Sequence, residues 1–570
     1  MTKTGRMLPN WRQSWAKVWP MVTLTFGVVV FGALAMEWEP VQAQEVQKKA
    51  KAGAKKGEYA PAKGAVPVAK SLTNGTKIDA AALSKLIDQE INKRIKAEKA
   101  TSAGLCDDAE FIRRAYLDLV GAIPTASAVD AFLQSKETNK RAKLIDTLLA
   151  DARFGKHYAE TLANLLIPRE SNNRALNQKP MEQWLAEHFN NNTSIDKLVY
   201  DLITVTGAID KNPAGAYFVG NPTVDKITDN VTRTFLGVQH QCAQIHNHPL
   251  TDWKQTEYWA MATFFLKTKV SGTPQQAAKK GAVLTVTEDA DAKAGKKGAL
   301  PESFKKVNAK FLQGAEPTIA AKDPSRPVLA KWMTSADNKF FARAMVNRFW
   351  YDLFGRGIVN PVDDMHDDNA ATHPELLATL TEQFKLNNFD MKYMIRAICN
   401  SEVYQRSSVS KQDSASIDQD IYVRREIRVM SAEQLFDSLT IILGASTDKG
   451  PKDKTVKKGP ATPRDAFVSF FRVDEGNPLE YQNGIPQALR MMNSPFTNKT
   501  DVIAGQITAG TKTNAEAIEK IYLTALSRRP TAEEQQRLNI YVTRPGTTDR
   551  VAYGDILWVL LNSSEFVLNH

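Results

Sequence analysis

DDAEFIRRAYLDLVGAIPTA, residues 107–126, contains a helix start, a helix body and a helix stop. Asp107 and Glu110 have the spacing of a capping box, in which a side chain and a backbone N–H satisfy each other at a helix N-terminus. Phe111, Ile112, Ala115, Tyr116 and Leu119 then recur at helical spacing, and Gly121 and Pro124 end the run. Part of this stretch returns near the other end of the chain. Tyr116, Leu117, Pro124, Thr125 and Ala126 match Tyr522, Leu523, Pro530, Thr531 and Ala532 at one constant offset of 406 residues. Downstream, Leu148, Leu149 and Phe154 match Leu560, Leu561 and Phe566, and ICNSEVY at 398–404 is similar to LNSSEF at 561–566. A helix, a Pro-terminated turn and a second helix are used at both ends. Repeated helical units more often supply packing and binding surfaces than catalysis.

Further out, the same period persists. Leu83, Ile87, Ile91 and Ile95 form an i, i+4 stripe behind a cap at Asp79, and THPE at 372–375 reads as a capping box opening a helix through Leu376, Leu377, Leu380 and Phe384. Alternating strand patterns are scarce. The expected fold is all-α and multi-helical, with two related helical modules joined by flexible Lys/Ala/Gly-rich linkers. At 570 residues the chain is too long for one hydrophobic core. The modules are expected at 79–266 and 323–570, with a linker or insertion at 267–322 and a flexible insertion near 445–465.

The net charge of +11 is unevenly spread. The first 36 residues carry four cations and no acid, and residues 44–78 hold eight lysines against Glu45 and Glu58. Residues 267–310 and 448–464 are likewise basic, so these four segments carry +20 and the remainder carries −9. A phosphate-binding surface needs its cations fixed on one folded face, so nucleic acid is not an expected partner. The basic start, the apolar run MVTLTFGVVVFGALAM at 21–36 and the small residues of Val41-Gln42-Ala43 form the three parts of a secretory signal peptide, residues 1–43. An uncleaved signal anchor is the alternative, and it is the sole expected membrane contact. Either reading exports the remainder to the periplasm, the cell envelope or the medium. Residues 44–78, rich in Lys, Ala, Gly and Pro, read as a disordered basic linker.

Only Cys106, Cys242 and Cys399 occur, which excludes a disulfide framework and four-cysteine zinc modules. Two clusters carry candidate chemistry. His240, His246 and His248 fall within nine residues, and His246 and His248 point to one side of an extended backbone before Pro249. With Cys242 or Asp252 they suit zinc or a similar divalent ion, while the plainer reading is a polar loop bonded to backbone. The second cluster, PVDDMHDDN at 361–369 followed by His373, offers Asp363, Asp364, Asp367, Asp368 and His366. Its oxygens suit calcium or magnesium, and its plainer role is to satisfy local N–H groups before a capped helix. Neither cluster closes a ligand shell alone. A composite site is therefore expected, with Cys242, His246 and His248 facing Asp363, Asp364 and His366 across a module interface.

Several stretches resemble a paired family of exported planctomycete proteins, the cytochrome-associated domains of unknown function fifteen-forty-nine and fifteen-fifty-three. The first is carried by residues 111–124, by TFLGVQ at 234–239 and by CAQIHNHP at 242–249 with Trp253, Lys254 and Gln255. The second is carried by RPVLAKW at 326–332, FARAMVNRFW at 341–350, FGRGIVNPVDD at 354–364, His373 to Leu377, and residues 561–566. Members of that family commonly carry Cys-x-x-Cys-His-x-His-Pro, and Ile245 stands here in place of the second cysteine. Covalent c-type haem needs both thiols, so it is not expected, and an electron-transfer role is disfavoured. The resemblance implies an exported cell-envelope scaffold or binding protein with no established reaction. Its expected partners are other envelope proteins or extracellular polymers. The competing reading is a metal-assisted hydrolase of extracellular polymers.

Overall fold

Helices dominate because the apolar periods and their caps agree. In the computed structural model, residues 69–167, 176–247, 253–272, 283–289, 301, 304, 306–409, 419–444, 462–471, 491–492 and 499–570 are described. The signal segment and residues 445–461 lie outside them. Asp79 accepts a hydrogen bond from Ala82 N at 2.8 Å and starts the Ala80–Ala97 helix, which buries Leu83, Ile87, Ile91 and Ile95. Asp107 caps Asp108–Val120 through Glu110 N, and Gly121 ends it in the left-handed region at φ 72°. A Cβ at Gly121 would also meet the His157 ring at 2.6 Å, so this glycine is required twice over.

The recurrence seen in the sequence is a recurrence of structure. Asp108–Val120 and Ala126–Gln134 correspond to Asn514–Leu526 and Ala532–Val542 at the same offset of 406. Gly121 and Ser527 end the first helix of each pair at positive φ, and Thr125 and Thr531 cap the second. The two hairpins also exchange side chains. The main core collects residues from Leu83 to Val423 together with Leu523, while the second core collects Met430 to Phe566 together with Leu117 and Ile123. Leu117 and Leu523 are equivalent positions, each buried in the core of the other hairpin's surroundings. Residues 68–570 form one compact unit, and the main core draws on both sides of 267–322.

Two local expectations change. Thr268–Ser271 and Thr285–Glu288, inside the stretch read as linker, are strands β2 and β3, and with Gly207–Ala208 (β1) they form a sheet of order β1-β3-β2. Strands this short fall below any useful periodicity window, and the buried Leu284 and Val286 meet residues 207–209, far away in sequence. Arg428–Val429 (β4) and Leu568–Asn569 (β5) form a second antiparallel pair. The capping box at Thr372 does not form. The Pro374–Leu386 helix has His373 at its N-cap, and the Thr372 hydroxyl donates instead to Ile358 O at 3.2 Å. Pro374 fits because the first helical position has no N–H to satisfy.

The end of the basic linker is docked. Glu382 accepts from Ser71 Oγ and Thr73 Oγ1, each at 2.5 Å, and from Gly75 N at 3.0 Å. Buried Gln383 donates to Thr76 O and accepts from Ile78 N, and buried Thr379 accepts from Leu72 N. Those mid-helix polar groups have their partners in residues 71–78. No helix among the described residues is long and apolar enough to cross a membrane.

Candidate functional site

The two candidate clusters are built on adjoining elements. The Val224–Val231 helix runs into a π-helical turn, Thr232–Leu236, ended by Gly237 at φ 67°. Wide turns of this kind often occur at functional positions. The turn sends Arg233 across to the 361–368 loop, where its guanidinium donates to Asp363 Oδ2 at 2.9 and 2.7 Å. Gln239 Nε2 donates to the other Asp363 oxygen at 2.9 Å, and Met365 N donates to Gly237 O at 2.8 Å. Gly237 permits that approach, since a Cβ there would meet Ala344 and Met365 at 3.1 Å each. Burial works to raise the Asp363 carboxyl, but Arg233, with the Gln239 amide, outweighs it and holds the group below the usual carboxylate range.

The remaining candidates have separate surroundings. Asp364 Oδ2 lies 3.6 Å from His366 Nε2, and its backbone oxygen accepts from Asn369 Nδ2 at 2.7 Å. Asp367 and Asp368 are exposed. His373 is buried, with Nδ1 3.0 Å from the Thr372 hydroxyl, and burial, helped by Arg94, lowers it to about 4. Cys242 is a free, exposed thiol, and Ile245 is 77% exposed. The exposed His246 has Nδ1 2.7 Å from Asn247 O, while Gln255 donates to Gln244 O and Ile245 O and fixes this loop on the next helix. His240 belongs to the core, edge-on to Trp253 and Tyr258 at 4.9 and 5.5 Å. His248 and Asp252 lie outside the described residues. Among the described residues, no group of three or more His, Cys, Asp or Glu side chains is placed to hold a metal ion. Arg233, Gln239 and Asp363 do join the two stretches.

A denser polar centre, which the periodicity did not single out, lies under the 107–126 stretch. Asp118, with its side chain 1% exposed, accepts from Arg425 Nη2 at 3.0 Å, Tyr404 Oη at 2.9 Å, Asn569 Nδ2 at 2.7 Å and Arg428. Arg113 donates to Phe566 O at 2.6 Å and Ala525 O at 3.3 Å. Arg114 donates to Tyr404 O and Arg406 O at 2.7 and 2.9 Å. The available signal was the presence of two arginines and an aspartate inside an apolar helical stripe, where charged groups stay only if paired.

Two family models match the chain. PSCyt2, a protein of unknown function (DUF1549), matches residues 86–270, and PSD1, a protein of unknown function (DUF1553), matches residues 325–483. The chain belongs to this paired family. No curated protein and no solved structure matches it. The DUF1549 region supplies Arg233, Gly237 and Gln239, and the DUF1553 region supplies Asp363 and Met365, so the contacts among these five residues join the two. Asp118 joins them as well, through Tyr404, Arg425 and Arg428. The family is one without an established activity.

Proposed function

We propose that this DUF1549–DUF1553 chain is an exported helical scaffold or binding protein of the cell envelope. The observation that carries the reading is the engagement of Asp363 and of the buried charged groups within the fold. Asp363 is held between a guanidinium and an amide, and the buried arginines of the 107–126 stretch bond to backbone carbonyls. A carboxylate stabilised as an anion is a weak general base, and a buried arginine holding carbonyls is a fastener. Other envelope proteins or extracellular polymers are the partners in this reading, and only an uncleaved N-terminal segment would contact the membrane. Cell fractionation with mass spectrometry of the native N-terminus tests it. Recovery in the envelope or the medium, with a chain starting at Gln44, is expected. Recovery of the protein in the cytoplasm would overturn it.

A second reading, a metal-assisted hydrolase of extracellular polymers, is favoured by the contact of 233–239 with 361–365. Cys242, His246, His248 and Asp252 would then supply N, S and O donors beside Asp363, Asp364, His366 and His373. A divalent ion that binds only the folded state raises thermal stability by mass action. Titration of the purified chain with zinc, calcium and magnesium, repeated with His246→Ala and Asp364→Ala, tests this. A flat response to all three ions would remove the metal reading.

A further inference from the structure

The β1-β3-β2 sheet is open at one end. On the β2 side, β3 is paired along its whole length, from Thr285 opposite Ser271 to Glu288 opposite Thr268. On the β1 side the pairing stops at Gly207 opposite Val286, so among the described residues Thr287 and Glu288 have a partner strand on one side only. Just before β1 the chain is held by Arg326, whose fully buried guanidinium stacks over Phe218 at 4.5 Å and donates to Ile203 O at 3.0 Å and Val205 O at 2.9 Å.

A cleft of about 470 Å3 opens where the strands part, within the volume range of small-ligand sites. Thr206, Gly207, Thr287, Glu288, Lys267 and Lys322 line it, and Asp323 adds one carboxylate. The Glu288 carboxylate is already engaged, accepting from Ser325 N at 3.0 Å and Arg326 N at 3.1 Å, with Arg326 Nε 3.6 Å away. Lys267 is fixed in place, because Nζ donates to Ala321 O and Asp323 O, each at 2.7 Å. An ammonium has three N–H groups, so one is left over from those two bonds. Lys322 is exposed beside it. The cleft thus combines a strand edge with two ammonium groups against a single uncommitted acid.

We propose that this cleft binds the C-terminal end of an extended peptide, with its main chain along the open edge of β3 and its carboxylate between Lys267 and Lys322. Strand addition supplies main-chain hydrogen bonds, and the lysines select the chain end. The proposal rests on the binding-protein reading above and names its ligand class.

The test uses the full chain and fluorescein-labelled Thr-Val-Thr-Val-Thr as the free acid, the C-terminal amide and an N-methylated form, read by fluorescence anisotropy. The free acid should bind, and the amide should bind about tenfold more weakly. Lys322→Ala should weaken the free acid by about fivefold with an unchanged thermal midpoint, because an exposed lysine supports no part of the fold. Lys322 is the cleaner position, since Lys267 also holds the 321–323 loop. Equal binding of acid and amide, or no binding at about 1 mM peptide, would overturn the proposal. Unchanged binding of the N-methylated peptide would overturn the strand-edge geometry. Failure of the peptide in a protein recovered from the envelope sinks this site alone, whereas a cytoplasmic protein sinks the broader reading whatever the peptide does.

Discussion

Replacing Asp118 by alanine should be among the most damaging single substitutions in the chain. The carboxylate is buried and faces Arg425, whose side chain is 0% exposed. Burial, offset by Asp118, lowers Arg425 to about 10, so its guanidinium is charged at neutral pH. Asp118→Ala would leave that charge buried without its carboxylate, a change that costs about 3–5 kcal/mol. The loss of the Tyr404 and Asn569 bonds adds roughly 0.5–1.5 kcal/mol each. Against a total stability of about 5–15 kcal/mol, this is a large fraction. Urea unfolding followed by circular dichroism should show a lower midpoint with an unchanged slope. The double variant Asp118→Ala with Arg425→Met should recover much of the loss, because an apolar replacement of a buried pair is often near neutral. A loss below about 1 kcal/mol for Asp118→Ala, as for a surface substitution, would refute the reasoning.

Three further outcomes follow from the same geometry. His373 is lowered to about 4 from an ordinary value near 6.5, so it costs nothing above that value and destabilises the fold as pH falls from about 6.5 towards 4, by up to roughly 3 kcal/mol. Thermal unfolding across that window should be flatter for His373→Asn, and equal slopes would defeat the assignment. Leu117→Ala and Leu523→Ala should each cost about 2–5 kcal/mol in chemical denaturation, since each fills the other hairpin's core, and a silent result at either position would contradict the exchange. Glu382→Ala should release residues 71–78, read as faster tryptic cleavage after Lys77 in the native protein, and an unchanged cleavage rate would show that Gln383 and Thr379 hold the segment alone.

The helical class, the caps at Asp79 and Asp107 and the repeated hairpin were legible because each is written within a few turns of chain. A 3.6-residue apolar period, a carboxylate reaching an N–H three residues on, and a glycine or proline stop are all local, and burial only reinforces them. The family was legible for a related reason: its signature stretches are contiguous runs. Tertiary structure alone decided what the charged residues in those runs do. Arg114 meets the carbonyl of Tyr404 across 290 positions, and Asp118 meets Asn569 across 451. Short strands such as β1 and β3 exist because residues near 207 and 286 happen to meet. Asp363 was expected to face Cys242, His246 and His248, whereas the side chains bonded to it are Arg233 and Gln239, one on the π-helical turn and one just past Gly237. Periodicity reports which face of an element is apolar. It carries no information about which distant polar group that face will meet, because that depends on packing geometry between elements and on the requirement that every buried charge find a partner.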